Sequence, residues 1–165
     1  MIALVRVDNR LIHGQILVGW APHLRAEAVV VADDEAAKSP LARAAMTLCL
    51  PPGLEASIQP LARVDFRALA ASRCAVLVLV RDVPDLERAR EAGLDPSLCR
   101  RLNLGNVHYA PGRRQITPSV FLSEEELAQL RRLASAGFEV EARAVPLDQP
   151  LDLPEIERRF AAAGG

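Results

Sequence analysis

The fold of this chain can be predicted outward from one stretch, Val5-Arg6-Val7-Asp8-Asn9-Arg10-Leu11-Ile12-His13-Gly14-Gln15. An apolar run over residues 1–7 ends there in a polar turn, and a segment with helical spacing begins after the turn. This order predicts a strand, a turn and a helix. Polar side chains at such a corner lie where open α/β sheets bind ligands. Backbone N–H groups of the first helical turn are unpaired, so they favour an anion there.

His13 is the candidate phosphoryl-handling residue of this corner. Arg10 and Asp8 precede it closely, and Gly14 removes the side chain that would crowd an incoming group. A helix cap, or a hydrogen bond to a neighbouring loop, is the simpler role for a lone histidine. The residues alone leave both roles open, because short motifs carry a large false-positive risk.

A longer pattern resembles a known family. The segment from Arg6 to Gln15, with Trp20 downstream, is similar to the phosphorylation-site segment of IIB components of the mannose/fructose/sorbose branch of the bacterial sugar phosphotransferase system (PTS). Further family landmarks follow in order: Val30 to Lys38, Pro51-Pro52-Gly53, Leu102-Asn103-Leu104-Gly105, Arg114-Gln115-Ile116-Thr117 and Val145-Pro146. The resemblance covers nearly the whole chain. The chain departs from it at Asn9, where the family often has a second acidic residue, and at Asn106, where it often has a second glycine.

The resemblance implies a phosphocarrier function. His13 would accept a phosphoryl group on Nδ1 from the phosphohistidine of a IIA protein, and would pass it to a sugar that the membrane IIC and IID components import. The chain would then be a protein-phosphohistidine–sugar phosphotransferase, a transferase of the kinase type, without a cofactor. The particular sugar and the formation of a homodimer stay open. Two alternatives belong to other classes: a regulatory phosphoprotein without a dedicated transporter, and a metabolite-binding α/β module with an unreactive histidine.

Transfer between histidines depends on positioning and on positive donors more than on covalent chemistry. Arg10 offers a planar guanidinium to two phosphoryl oxygens, although a surface salt bridge with Asp8 is its simpler role. Helix N–H groups around Gly14 and Gln15 offer further donors. Three roles are open for Asp8: orienting His13, orienting Arg10 or shaping the turn.

Four further residues are predicted at the rim of the site, Trp20, Lys38, Arg81 and His108. Trp20 is expected to support the loop with its ring. Lys38 lies in the segment from Asp33 to Lys38, which follows an apolar strand and is predicted as a loop. Arg81 directly follows another apolar strand, which ends at residue 80. Because two partners must reach His13, we expect a shallow, positively charged surface around it.

Composition limits the other classes of function. A chain of 165 residues predicts a single domain over residues 1–165, and a formal net charge of −1 gives no reason to expect nucleic acid as a partner. There is no apolar run of the ~20 residues that a membrane span needs and no signal peptide, so a cytoplasmic protein is expected. The three cysteines form no Cys-x-x-Cys pair and are predicted to be reduced. The spacing of His13, His23 and His108 matches no metal motif.

Apolar runs and helical patterns alternate along the first part of the chain in the order β-α-β-α-β-α-β-α. This order predicts a three-layer α/β fold, with a mainly parallel sheet of about six to seven strands and helices on both faces. The remainder of the chain predicts an antiparallel C-terminal part. A helix from about Pro40 to Leu50 is predicted from the spacing of Leu41, Ala44, Ala45 and Leu48.

Overall fold

Strands and helices alternate along the chain in the computed structural model, which describes residues 1–164. The strands are β1 (Ile2–Asp8), β2 (Ala28–Ala32), β3 (Glu55–Gln59), β4 (Val76–Val80), β5 (Arg101–Asn106), β6 (Arg114–Thr117), β7 (Val120–Leu122), β8 (Glu139–Ala142) and β9 (Leu151–Asp152). The α-helices are α1 (Ala21–Leu24), α2 (Asp34–Lys38), α3 (Pro40–Leu48), α4 (Phe66–Ala71), α5 (Val83–Glu91), α6 (Glu124–Ser135) and α7 (Leu153–Ala162). A π-helix (Ile16–Trp20) leads into α1, and a 3₁₀ turn (Leu61–Arg63) precedes α4.

The first strand lies in the middle of the main sheet. Seven strands form this sheet in the order β3-β2-β4-β1-β5-β8-β9, and β6 and β7 form a separate antiparallel pair. β1 pairs in parallel with β4 on one side and with β5 on the other. Only β9, at one edge, runs antiparallel to its neighbour in this sheet. The predicted α/β class, with a mainly parallel sheet and an antiparallel C-terminal part, is confirmed.

The two faces of β1 carry different chemistry. Val5 and Val7 point into one apolar cluster, which also contains Val78 and Val80 of β4. Leu4 belongs to the cluster on the opposite face, and Arg6 and Asp8 share that face because side chains alternate along a strand. Both charged side chains are fully buried. The middle of the sheet therefore contains an ion pair that must be satisfied within the protein.

Two local expectations change. The segment after Asp33 is a helix, α2, and not a loop, because the Asp33 carboxylate accepts a hydrogen bond from the Ala36 N–H at 2.7 Å and caps it. The helix α3 is confirmed, but its apolar stripe faces away from the sheet. Leu41 and Leu48 are 80% and 84% exposed, whereas Met46 is buried. Helical spacing identified this helix without identifying its buried face.

Gly105 provides the first test, because its α-carbon lies against the Arg6 guanidinium. A Cβ at this position would lie 1.8 Å from Cζ of Arg6, so Gly105→Ala must displace the buried charge. Overpacking of this kind typically costs about 1–3 kcal/mol of unfolding free energy. We expect urea unfolding to show a loss of this size for Gly105→Ala.

Gly19→Ala is the matched control for this test. Its Cβ would meet Pro146 Cδ at 3.7 Å, an ordinary van der Waals contact. We expect its stability to equal or slightly exceed that of the wild type, because alanine is favoured over glycine in helices. A Gly105→Ala variant as stable as Gly19→Ala would contradict the packing of Arg6 described here.

Candidate active site

The turn after β1 brings His13 back beside the end of the strand. The Leu11 N–H donates to the Asp8 carbonyl at 3.0 Å, and Leu11 adopts the left-handed conformation with φ of 58°. A non-glycine residue in that region stores strain of order 1–3 kcal/mol and must be held by its surroundings. Burial of the Leu11 side chain supplies this restraint. The N–H groups of Ile16 and Leu17 then both donate to the His13 carbonyl, at 3.0 and 3.1 Å, where the π-helix begins.

Asp8 holds the imidazole of His13 by one nitrogen. Nε2 of His13 lies 2.9 Å from Oδ2 of Asp8, and the carboxylate is fully buried. Burial alone would raise the pKa of Asp8, but the hydrogen bond with His13 and the charge of Arg6 outweigh it and keep the pKa below its ordinary value. Asp8 is therefore ionised at neutral pH and can only accept hydrogen bonds. The proton of the neutral imidazole must lie on Nε2.

The other ring nitrogen faces a backbone donor. The Gln15 N–H donates to Nδ1 of His13 at 3.3 Å, so Nδ1 is the acceptor nitrogen. This contact and the Asp8 contact independently select the same tautomer. Nδ1 lies on the exposed side, where a side chain at Gly14 would meet nothing within 4 Å. The lone pair of Nδ1 therefore accepts this long hydrogen bond on the exposed side of the ring, at the first turn of the helix.

Arg6 anchors the carboxylate from below. Its Nη2 donates to Asp8 Oδ2 and to the Ala144 carbonyl, both at 3.0 Å. Its Nη1 donates to Asn103 Oδ1 at 2.6 Å and to the Arg143 carbonyl at 3.0 Å. Burial lowers the pKa of Arg6, and the charge of Asp8 partly offsets this effect. A buried ion pair contributes little net stability, but removing one partner typically costs several kcal/mol because the other charge stays buried without it. The pair with Arg6 therefore fixes the position of Asp8.

Trp20 supports the guanidinium of Arg6 and belongs to the same apolar cluster as Leu11 and Ile12 of the turn. Its ring lies 4.9 Å from Cζ of Arg6 and 5.2 Å from Cζ of Arg143, within cation–π range. The indole Nε1–H donates to the Ala144 carbonyl at 2.9 Å, so the ring is fixed. Trp20 thus contributes to the site through Arg6.

Arg10 is the cation that lies at the surface beside His13. Its side chain is 39% exposed and is held by a 3.4 Å contact from Nε to Asp8 Oδ1 and a 3.1 Å hydrogen bond to Gln15 Oε1. The Arg10 backbone N–H also donates to Asp8 Oδ1, at 3.1 Å. All three roles considered for Asp8 are observed together, since it contacts His13 and Arg10 and shapes the turn.

The other predicted rim residues make different contacts. Arg81 makes two hydrogen bonds to Asp33, at 2.7 and 2.8 Å, and its Nη1 donates to the Asn9 carbonyl of the turn at 3.4 Å. Lys38 is largely exposed on α2 and lies 3.9 Å from Glu35, with no hydrogen bond to the His13 cluster among the described residues. The His108 backbone N–H, and not its ring, contacts the loop, through Asn9 Oδ1. Arg10 is thus the rim cation that contacts Asp8 directly, and Arg81 contacts the turn at Asn9.

His13 lies outside the larger surface depressions of the described residues. Five surface depressions within residues 1–164 have volumes of about 200–520 Å³, and none of the five is lined by His13, Arg10 or Asp8. The side chain of His13 is 17% exposed. The described residues contain no group of three or more His, Cys, Asp or Glu side chains that could hold a metal ion. Every helix in this part of the chain is too short or too polar to cross a membrane.

Comparisons with known proteins agree with this geometry. A family model described as PTS system sorbose subfamily IIB component matches residues 2–162. The N-acetylgalactosamine-specific phosphotransferase enzyme IIB component 2 of Escherichia coli K12 is 34% identical over 153 residues, which cover 92% of this chain and 96% of that protein. The mannose-specific EIIAB component of the same strain is 28% identical over 160 residues, which cover 94% of this chain and 48% of that protein.

A solved structure shows the same architecture. The IIBSor domain of the sorbose permease from Klebsiella pneumoniae matches with a TM-score of 0.82 and 25% identity, covering 96% of this chain and 97% of that one. The parallel sheet and its surrounding helices are thus shared with this IIB domain. The chain belongs to the sorbose subfamily of PTS IIB components. It is a phosphoryl-transfer subunit of sugar uptake by that system, and the regulatory alternative is not favoured.

The low pKa of Asp8 predicts how stability depends on pH. A carboxyl group with a depressed pKa in the folded state stabilises fully above its unfolded pKa of about 3.9, and this stability is lost as the pH falls through the folded value. Asp8→Asn leaves the Arg6 charge buried without its partner, which typically costs about 3–5 kcal/mol. We expect urea unfolding at pH 7 to show an unfolding free energy for Asp8→Asn that is lower than that of the wild type by this amount. The difference in unfolding free energy should become smaller below about pH 4. A gap that is absent at pH 7, or unchanged down to pH 2, would refute this role of Asp8.

Proposed function

We propose that His13 accepts a phosphoryl group on Nδ1 from the phosphohistidine of a IIA protein and transfers it to an incoming sugar. The observation that carries this proposal is the pair of contacts to the imidazole ring. Asp8 takes the proton-bearing Nε2 at 2.9 Å, and the lone pair of Nδ1 faces the exposed helix N-terminus. Nδ1 is thereby the unprotonated ring nitrogen, and it can attack once the 3.3 Å hydrogen bond from the Gln15 N–H is released, without any rearrangement of the ring.

The first transfer requires little covalent work from the protein. The Nδ1 lone pair attacks phosphorus while the P–N bond to the donor histidine breaks, and the bonding electrons return to the donor ring. Positive charge develops on the imidazole of His13, and the buried Asp8 carboxylate stabilises it through Nε2–H. Asp8 has no proton to give or take in this step, since it stays ionised.

Arg10 and the helix N-terminus supply the donors to the phosphoryl oxygens. The Gln15 N–H already points at Nδ1, and a phosphoryl group bonded there would lie beside it. The Arg10 guanidinium is held by a 3.4 Å contact to the buried Asp8 Oδ1 and by an exposed hydrogen bond to Gln15 Oε1. Release of those contacts would let its planar fork bind two phosphoryl oxygens.

The second transfer reverses the roles at His13. A sugar hydroxyl oxygen attacks phosphorus, the Nδ1–P bond breaks, and the electron pair returns to Nδ1. That nitrogen can then take the hydroxyl proton and release it to solvent, which restores the starting tautomer. Asp8 continues to hold Nε2, so the ring keeps its orientation through both steps.

The proposed partners are a IIA donor, the membrane components IIC and IID, and the sugar. A relative named as an EIIAB component supports the IIA partner. The proposal puts the chain on the cytoplasmic side as one domain. The relatives are named for different sugars, so no sugar is assigned, and a homodimer remains an untested expectation.

Phosphoryl labelling tests the proposal. The chain is incubated with phosphorylated general phosphocarrier and a cognate IIA, and we expect an adduct that is acid-labile, base-stable and absent in His13→Ala. Arg10→Ala should slow transfer, because losing one preorganised donor typically costs about 2.7–4 kcal/mol. Arg10→Lys should recover only part of the rate, since lysine lacks the bidentate fork.

Two histidine variants serve as controls for the labelled position. His23→Ala and His108→Ala should be labelled like the wild type, because neither ring contacts Asp8. Label retained in His13→Ala would refute the acceptor assignment. Wild-type rates in both Arg10 variants would show that Arg10 does not contact the transferring group.

A further inference from the structure

Asn9 ties the turn that carries the acceptor histidine to both neighbouring strands. Its Nδ2 donates to the Arg81 carbonyl at 2.7 Å and to Asp82 Oδ1 at 2.8 Å, beyond the end of β4. Its Oδ1 accepts from the His108 N–H, beyond the end of β5. Its backbone N–H donates to the Asn106 carbonyl at 3.0 Å. Both donors and the acceptor of this carboxamide are therefore in use.

We infer that Asn9 is a positioning residue for phosphoryl transfer and that it acts as a pair with Asp82. This inference rests on the proposed function of His13. Asn9 lies between Asp8, which holds the imidazole, and Arg10, which is proposed to bind the phosphoryl group. A shift of the Asn9 backbone would therefore move both groups at once.

The turn needs such an external restraint. Leu11, two residues on, has a φ of 58°, a conformation that persists only where the surrounding structure over-determines it. Burial of Leu11 holds one end of the turn, and the Asn9 carboxamide holds the other against two strands. Asp82 in turn is fixed as the N-cap residue of α5, where its N–H donates to Asp85 Oδ2 at 3.2 Å. The restraint thus connects the acceptor turn to a rigid helix.

The pairing is selective for an amide at position 9. An aspartate there could still accept from the His108 N–H, but it has no hydrogen to donate to Asp82. Two carboxylates would then face each other at hydrogen-bonding distance, where like charges repel strongly. Arg113 does not remove this conflict. Its Nη2 lies 3.7 Å from Asp82 Oδ1, but it is committed to Glu126 Oε1 at 2.6 Å.

An exchange of the two groups tests the inference. Asn9→Asp should slow phosphoryl transfer roughly tenfold or more, about 1.4 kcal/mol of activation free energy, because a shifted turn moves both Asp8 and Arg10 out of position. Asp82→Asn should slow it less, since the Asn9 amide keeps its bond to the Arg81 carbonyl. The double variant Asn9→Asp/Asp82→Asn restores one donor and one acceptor at unchanged net charge. It should recover most of the rate lost in Asn9→Asp.

Asp65→Asn is the matched control for charge removal at a helix N-terminus. Asp65 is the N-cap of α4, its side chain accepts from the Ala68 N–H at 2.9 Å, and asparagine caps helices equally well. We expect transfer by this variant to equal that of the wild type.

Rates are measured at saturating IIA donor, well below the unfolding temperature of each variant, so that a loss of stability alone cannot lower them. If Asn9→Asp transfers at the wild-type rate, or the double variant is no faster than Asn9→Asp, the inference is wrong. If Asn9→Asp does not fold, recovery of fold and transfer in the double variant supports the pair, and its failure overturns it.

Urea unfolding of the same variants separates this inference from the proposed function. A coupling between positions 9 and 82 in stability reports the pair itself. A wild-type chain that takes no phosphoryl group overturns the proposed function, and the positioning role with it, even where that coupling is present. A chain that is labelled on His13 but shows no rescue overturns the positioning role alone.

Discussion

The buried ion pair between Arg6 and Asp8 is the constraint on which the site depends. Each charge loses several kcal/mol of hydration in the middle of the sheet, and hydrogen bonds within the protein must offset most of that loss. Arg6 uses four of its five N–H groups on Asp8, Asn103 and the carbonyls of residues 143 and 144, and its buried Nε has no partner among the described residues. Asp8 directs its remaining acceptor capacity to His13 and Arg10. The hydrogen bonds that satisfy the buried charges therefore also orient the partly exposed imidazole of His13.

The position of β1 in the sheet extends this constraint to the surface. Because β4 and β5 run parallel to β1 on either side, all three strands end at the same edge. The loops after them meet around Asn9, which contacts residues beyond both neighbours. The site is consequently held from the sheet side by the contacts of Asp8 and Asn9, and His13 lies outside the five surface depressions described. Such a surface suits a carrier that must meet a protein donor and then a membrane complex.

Local chemistry was predictable from the sequence, and long-range pairing was not. Asp8, Arg10 and His13 lie within six residues of one another, so their spacing indicated a common site. Arg81 was predicted at the rim of the site, and its partner Asp33 is 48 residues earlier in the chain. No periodicity reports that contact. The Asn103 contact that satisfies Arg6 is separated by 97 residues and is equally invisible to spacing.

The sequence also contains a signal for the buried ion pair of Arg6 and Asp8. Arg6 stands between Val5 and Val7 in an apolar run, and a charge that is buried there must have a partner. Asp8, two residues on, shares its face of the strand. The sheet itself was predicted correctly from continuous apolar runs, which are typical of strands that are buried on both faces. Spacing did not predict which face of α3 is buried, since Leu41 and Leu48 have helical spacing but face solvent.

The tautomer of His13 is the most direct test of this account. Nitrogen-15 NMR of the ring in the unphosphorylated protein near pH 7.5 should show hydrogen on Nε2 and a bare Nδ1, because Asp8 accepts from Nε2 and the Gln15 N–H donates to Nδ1. After phosphorylation, the phosphorus coupling should appear on Nδ1. A ring that carries its proton on Nδ1, or a phosphoryl group attached to Nε2, would contradict the claim that the buried Arg6 and Asp8 pair selects the nucleophilic nitrogen.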